Sequence, residues 1–490
     1  MTGPKVDIGR DLVAFVSSQG AFTIADAAGE SYPEAADAVR VITGSSGGTI
    51  AYNPREDKFG TATAVPGIQQ KRTAEGSLEG YAMPSGTRTT IPDIGADLLV
   101  KGGWEIVDAS GTDEVVSGSS STTTTVDMTD SSGFSVGDPV MVEDTVSGSG
   151  IYEMRRISAV NSGTPNDIVV EPPLTFSPAA SANVKGAIGY KPSDTRDTSE
   201  DCLTLWMLNN NSADRLGAWT PASFNFTMGG DDAARFTASG TARRHDRLFQ
   251  TPLASNLTTS TTTMVVTDAL ASSGDTLNTY WTLSDGGNTA AEVVKVTAIS
   301  GTSWTVTRGA IGGFPDPGST WDASDTVITP YRPTGTYAGS PVPATSGQIV
   351  MAPYGGTTAT SLQCNSTSLD CGMAVAYRED EQGDAYKVSG YTMSQRDIRA
   401  TLSGWSLRTT NMAAEMQAFQ TTNVAGDDSQ QITVAVVVGQ TEGAMFGWVA
   451  PRLRSEDLSL DRGAEEVTLE LTGRCEGTSS GADEILLMFG

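Results

Sequence analysis

One pattern is written twice in this chain of 490 residues. Ala51-Tyr52-Asn53-Pro54-Arg55-Glu56-Asp57, followed by Leu78-Glu79-Gly80-Tyr81, returns as Ala376-Tyr377-Arg378-Glu379-Asp380 followed by Leu402-Ser403-Gly404-Trp405. A second pair of blocks keeps the same order. Leu203-Thr204-Leu205-Trp206 runs to Gly217, Pro221 and Gly240, and Ile432-Thr433-Val434-Ala435 runs to Gly447, Pro451 and Gly473. Order-preserving self-similarity predicts a duplicated domain, and symmetric repetition without a catalytic apparatus points to assembly as the function.

Thr, Ser, Gly and Val abound and long Leu-rich helical periodicity is almost absent, the usage of short strands joined by polar turns. The expected fold class is mainly β: a duplicated β-domain, each copy with a short helix, plus two small inserted β-modules. Acidic residues number 58 against 31 basic ones, for a net charge of -27. That balance excludes an extended Lys/Arg groove for nucleic acid and predicts repulsion of polyanions. Dispersed acidity also keeps an abundant protein in solution. No segment approaches the ~20 apolar residues of a membrane span, and Met1–Asp7 lacks the features of a signal peptide, so synthesis in cytosol is expected. Four cysteines are too few for a disulfide framework and lack zinc-site spacing, which predicts buried free thiols.

Candidate chemistry is sparse. The single histidine, His245, sits among Arg243, Arg244, Asp246 and Arg247 in what reads as a polar connection, and offers little to a triad or a multi-histidine metal site. Asp231-Asp232 and Glu465-Glu466 read as solvated hairpin ends. Gly229-Gly230-Asp231-Asp232 and Asp427-Asp428 lack the spaced ligands of an EF-hand. The run from Gly44 to Gly48 lacks the Lys-Ser/Thr ending of a phosphate loop and reads as a flexible turn. No enzyme activity, cofactor or metal is expected.

The predicted organisation is an N-terminal arm or first strand over 1–48, a first repeat over 49–108 and 192–250, an inserted module over 109–191, a second module over 251–337 and the second repeat over 338–490. Pro92 and Asp93 suit a first helical turn, Leu98 and Leu99 can face a core, and Gly102-Gly103 supplies a stop. Asn411 through Phe419 predicts the matching helix of the second repeat. The modules resemble each other: Ser121 to Val126 leads to Gly137-Asp138-Pro139-Val140, and Ser260 to Val265 leads to Tyr280-Trp281-Thr282-Leu283. Both are expected outside whatever the repeats build.

The run Asn53 to Asp57, Gly67, Ser77-Leu78-Glu79-Gly80 and the Pro92-to-Trp104 helix resembles the N-terminal half of a tail tube protein of long-tailed bacteriophages. Leu203 to Trp206, Ser223-Phe224-Asn225-Phe226 and Asp231 to Phe236 resemble its C-terminal half, which Ala450 to Leu453 and Leu469 to Gly473 repeat. The resemblance implies a virion protein whose β-sandwich strands join across subunits into a continuous barrel, with a helix outside and a long loop reaching the next ring. Stacked rings would then form the channel for genome ejection. It also implies a tail tip, a tape measure and a tail terminator as partners. The double copy departs from the single-domain pattern, so three chains would restore a pseudo-six-fold ring, with a homohexamer as the alternative. Along the Leu78 strand, Glu75, Ser77 and Glu79 alternate with Ala74, Gly76, Leu78 and Gly80. These three are the candidate lumen-facing residues, past which double-stranded DNA slides without sticking; outward solvent is the competing position for them. A tandem β-domain surface or adhesive protein and a tail-associated glycan hydrolase are the rival functions.

Overall fold

The computed structural model describes residues 12–19, 32–53, 68–118, 120–163, 166–194, 202–267, 278–285, 291–311, 320–373, 375–383, 385–406, 431–461, 468–477 and 481–490. The chain is mainly β, with one 18-stranded sheet system, two six-stranded sheets and a two-stranded ribbon among the described residues.

Strand pairing follows one scheme twice. In the first set, Val13–Gln19 pairs with Ala38–Val39 and with Cys202–Leu208, which pairs with the near half of Ser212–Gly229. That near half also pairs with Arg244–Phe249, and its far half with Arg235–Ala242. Arg235–Ala242 continues to Ile68–Tyr81 and then Val41–Asn53. The second set repeats each step: Gln348–Pro353 with Thr360–Leu362 and Gln431–Val438, the latter with the near half of Phe446–Asp461. Phe446–Asp461 pairs in turn with Leu486–Phe489 and Thr468–Cys475, and Thr468–Cys475 continues to Asp397–Ser406 and Ser366–Gly372.

Cross-strand registers fix the equivalences. Gly76 faces Gly240 and Ala400 faces Gly473, so Leu78 and Leu402 coincide, as their motifs predict. The match of Gly217 with Gly447 and Pro221 with Pro451 does not hold. Leu205 pairs with Leu216, and its counterpart Val434 with Ala450, which puts Gly217 beside Pro451 in the alignment of the copies. The turn before Phe446–Asp461 is longer than the Asn209–Asn211 turn, so equal spacing misleads there. The boundary at 48 also cuts one strand, Val41–Asn53, and Val13–Gln19 forms a sheet strand, the strand alternative of the arm-or-first-strand reading.

Far halves and hairpin strands of both sets join into one curled sheet of eight antiparallel strands. Its order is Val41–Asn53, Ile68–Tyr81, Arg235–Ala242, Ser212–Gly229, Ser366–Gly372, Asp397–Ser406, Thr468–Cys475 and Phe446–Asp461. Near halves form an outer layer behind it. One core fills the gap and runs across both copies, from Leu78, Leu205, Trp219, Phe224 and Phe226 to Leu369, Leu402, Val434, Trp448 and Leu471. Trp104 packs edge-on to Phe224 and Phe226, with centroids 6.2 and 6.4 Å away.

The short helical turn Gly95–Leu99 buries Leu98 and Leu99, as expected. Gly102 ends it where a Cβ would lie 2.4 Å from the Leu98 carbonyl and 2.5 Å from the Phe224 ring, and Gly103 takes φ 100°. The helix expected over Asn411–Phe419 lies outside the described residues.

The two six-stranded sheets share one strand order. Asp113–Val115, Asn183–Gly186, Pro139–Glu143, Tyr152–Asn161, Asp167–Glu171 and Thr125–Asp127 correspond in turn to Thr251–Pro252, Thr326–Pro330, Tyr280–Asp285, Ala291–Ser300, Ser303–Thr307 and Thr263–Val265. Each covers the outer layer of one copy. Trp281, Trp304 and Ile328 of the second module share a cluster with Phe15, Trp206 and Leu208 of the first copy. Met141, Tyr152 and Met154 of the first module share one with Ala435, Val437, Val449 and Met488 of the second. The module inserted in the first copy therefore covers the second. Double coverage is why Cys202–Leu208 and Gln431–Val438 are buried at every position and read as near-continuous apolar runs, broken only by Thr204, Gln431 and Thr433, instead of alternating ones.

Candidate assembly surface

The eight-stranded sheet keeps one face on the core and turns the other to solvent. Ala74, Gly76, Leu78 and Gly80 are buried, whereas Glu75 is exposed and Ser77 and Glu79 are half-buried on the opposite face. Glu75, Ser77 and Glu79 therefore share a single solvent-facing row along Ile68–Tyr81. Across the strands, a hydroxyl row runs Ser45, Ser77, Ser239, Ser223, with Ser45–Ser77 and Ser223–Ser239 oxygens each 2.7 Å apart. Its counterpart in the second copy runs Ser368, Thr401, Thr472, Asp457, with Thr401 and Thr472 hydroxyls 3.2 Å apart.

Charge on this face is acidic with paired cations. Glu79 takes a 3.0 Å ion pair from Arg235, which also binds Asp232. Arg399 binds Asp397 at 3.0 Å and Glu456 at 2.7 Å, and Arg474 lies 3.5 Å from Asp397. Glu75, Asp370, Asp457 and Glu470 complete the carboxylates. Partial burial, reinforced by the neighbouring Asp397 carboxylate, pushes the Asp370 carboxyl above its usual range.

The two copies meet within this sheet. Ser223 through Gly229 pairs antiparallel with Gly372 through Ser366, placing Asn225 opposite Asp370 and Phe226 opposite Leu369. A hairpin of Val375–Glu379 and Val388–Met393 continues the second copy past the joint. Its Val375, Tyr377, Val388 and Tyr391 pack on Cys202 and Ala218 of the first copy. The Tyr377 hydroxyl donates to the Thr220 carbonyl at 2.8 Å and accepts from the Thr241 N–H at 3.0 Å.

At the ends of the sheet, Val41–Asn53 and the Ser455–Asp461 part of the last strand each have one ladder neighbour among the described residues. Gly44 to Gly48 lies inside the first of these edge strands, a correction to its reading as a flexible turn. Two of its three glycines meet close neighbours: a Cβ on Gly44 would lie 2.9 Å from Met207 Sδ, and one on Gly48 would lie 2.7 Å from His245 Nδ1. Ile50, Tyr52 and Ile68, at the tip of this hairpin, are 43%, 62% and 63% exposed.

The remaining candidates are structural in setting. His245 sits in the strand Arg244–Phe249, not in a connection, and its Nε2 is 3.2 Å from Asp214 Oδ1. Asp231-Asp232 forms the turn before Arg235–Ala242, where the N–H of Ala233 holds the Asp232 carboxyl below its usual range. Glu465-Glu466 and Asp427-Asp428 lie outside the described residues. Cys202, Cys371 and Cys475 are buried thiols, Cys202 donating to the Gln19 carbonyl, and burial pushes Cys364, only partly covered, up to about 12. Among the described residues, no helix is long and apolar enough to cross a membrane. The joint between copies and the paired open edges had no signal in the sequence beyond the duplication itself.

No family model matches the sequence, and no curated protein matches it.

Proposed function

We propose that this protein is a structural, non-enzymatic subunit that polymerises by sheet-edge pairing into closed rings, stacked as the tail tube of a long-tailed bacteriophage. The observation that carries this reading is the joint inside the chain. Two copies of one unit already pair edge to edge in a curled sheet, and among the described residues each end strand of that sheet has a ladder neighbour on one side only. Open edges are aggregation hazards, and a ring of identical contacts satisfies them without leaving a free end.

Three chains would supply about 24 strands. With strands ~4.8 Å apart and tilted by about 40°, that barrel is roughly 45 Å across between backbones, wide enough for a DNA duplex after side chains are added. Glu75, Ser77 and Glu79 would then line the channel with carboxylates and hydroxyls, a surface that repels phosphate. Tape measure, tail tip and tail terminator proteins are the partners this role calls for, and the virion is its location.

The test is negative-stain electron microscopy of the purified protein with top-view averaging. Rings with a central hole and three-fold symmetry approximating six-fold are expected. Six full-length subunits per ring would refute the trimer, and protein that stays monomeric even with tail-tip nuclei present would refute the tube.

A further inference from the structure

The joint inside the chain is a template for the contact between chains, and it assigns that contact residue by residue. This inference rests on the proposed ring and names the partner surface within it: a second copy of this chain. Alignment of the two copies places Ser223 at Asp457 and Asn225 at Ser459, because Leu216 corresponds to Ala450 and both strands carry a bulge next to Gly240 or Gly473. Asp370 corresponds to Gly47 and Gly372 to Thr49, since Ser368 pairs with Thr401 where Ser45 pairs with Ser77.

We propose that the Val41–Asn53 edge of one chain pairs antiparallel with Ser455–Asp461 of the next in a single register: Gly47 opposite Ser459, Thr49 opposite Asp457 and Ser45 opposite Asp461. Both edges suit it. Residues Ser455, Asp457 and Ser459 are exposed, and a side chain added at Gly47 would meet nothing within 4 Å.

The same symmetry gives Tyr52 a seat. Tyr52 pairs with Gln69 where Val375 pairs with Met393, so the register places Tyr52 at Val375 and not at Tyr377, although Ala51-Tyr52 repeats Ala376-Tyr377; Val375 packs on Cys202 and Ala218 of the adjacent copy. The counterparts of Cys202 and Ala218 in the second copy are Gln431 and Arg452, since Leu205 corresponds to Val434 and Leu216 to Ala450. Within its own chain Tyr52 is mostly exposed, with Ile50 and Ile68 beside it. Docking beside Gln431 and Arg452 of the next chain covers this apolar tip, as the first copy covers Val375, Tyr377 and Val388.

Cysteine pairs test the register. G47C/S459C, oxidised under assembly conditions, should give a non-reducing ladder ending at a covalent trimer. The slipped pairs S45C/S459C and T49C/S459C should link at least ~10-fold more slowly, because a two-residue slip moves the Cα atoms beyond the ~7 Å a disulfide tolerates. Rings in micrographs with fastest linking in a slipped pair would overturn the register and leave the ring standing. Wild-type protein that forms no rings, together with no linking in any pair, would sink the ring and the register together. Tyr52→Ala should raise the concentration needed for half-maximal ring formation by about tenfold, the loss of one buried aromatic contact, without changing the preferred cysteine pair. An unchanged midpoint would remove Tyr52 from the contact.

Discussion

Phe226→Ala tests whether the two copies fold as one body. Phe226 is fully buried in the strand that joins the copies, opposite Leu369 in the ladder. Its ring stacks on Phe224 at 6.5 Å, meets Trp104 edge-on at 6.4 Å and tilts against Phe446 of the second copy at 5.9 Å. Truncating a buried Phe costs about 3–5 kcal/mol when the cavity cannot collapse, and lost ring contacts are included in that range. Strands of both copies wall this site, so about 4 kcal/mol is expected. Urea titrations followed by near-ultraviolet circular dichroism, which reports tryptophans in both copies and in the second module, and by tryptophan fluorescence should shift together to a lower midpoint with unchanged slope. A split into two transitions, with the later one unmoved, would refute the shared core. So would a loss below about 1.5 kcal/mol, which would mean that the site repacks freely.

Gly48→Val should destabilise the chain by about 1–3 kcal/mol, since its first carbon already approaches His245 at 2.7 Å; thermal denaturation checks this, and an unchanged midpoint would show that His245 yields without cost. Charge reversal at the solvent-facing row, Glu75→Lys with Glu79→Lys, should leave tubes intact in micrographs while slowing genome delivery and introducing salt-dependent DNA retention; unaltered delivery counts against a channel-facing row. Burial raises the Cys371 thiol well above its ordinary value, so maleimide at pH 8 should label Cys202, Cys371 and Cys475 only after denaturation; fast labelling of native protein would refute their burial. The same protection leaves these three thiols out of the cysteine-pair experiment.

Legibility followed the range of the interactions. Alternation along Ile68–Tyr81 is local, so the polar row of Glu75, Ser77 and Glu79 and the buried row of Ala74, Gly76 and Leu78 could be read from residue order. Leu78 and Leu402 could be matched because strand registers preserve their spacing to the glycines opposite. Gly217 and Gly447 could not, because a longer turn shifts one hairpin without erasing the resemblance of its residues. Gly44 to Gly48 carries the composition of a turn, yet two of its glycines answer to Met207 and His245, which lie far away in sequence. Nothing local announces that Tyr377 rests on Thr220 or that one module covers the other copy.

That crossed coverage sets a timetable for synthesis. Ile188–Pro192 is held between Trp104–Asp108 and Leu486–Phe489, and the first module rests on Met445, Val449 and Met488. The ribosome reaches Leu486 roughly 300 residues after Ile188, which at about 5–20 residues per second is an interval of about 15–60 s. Throughout it, a strand edge and an apolar module face in the first half of the nascent chain await their cover. A chain interrupted between Gly229 and Ser366 would carry the first half of the joint with nothing to pair it, so the same contacts that close the ring make an unfinished subunit a candidate for capture by its neighbours on the polysome.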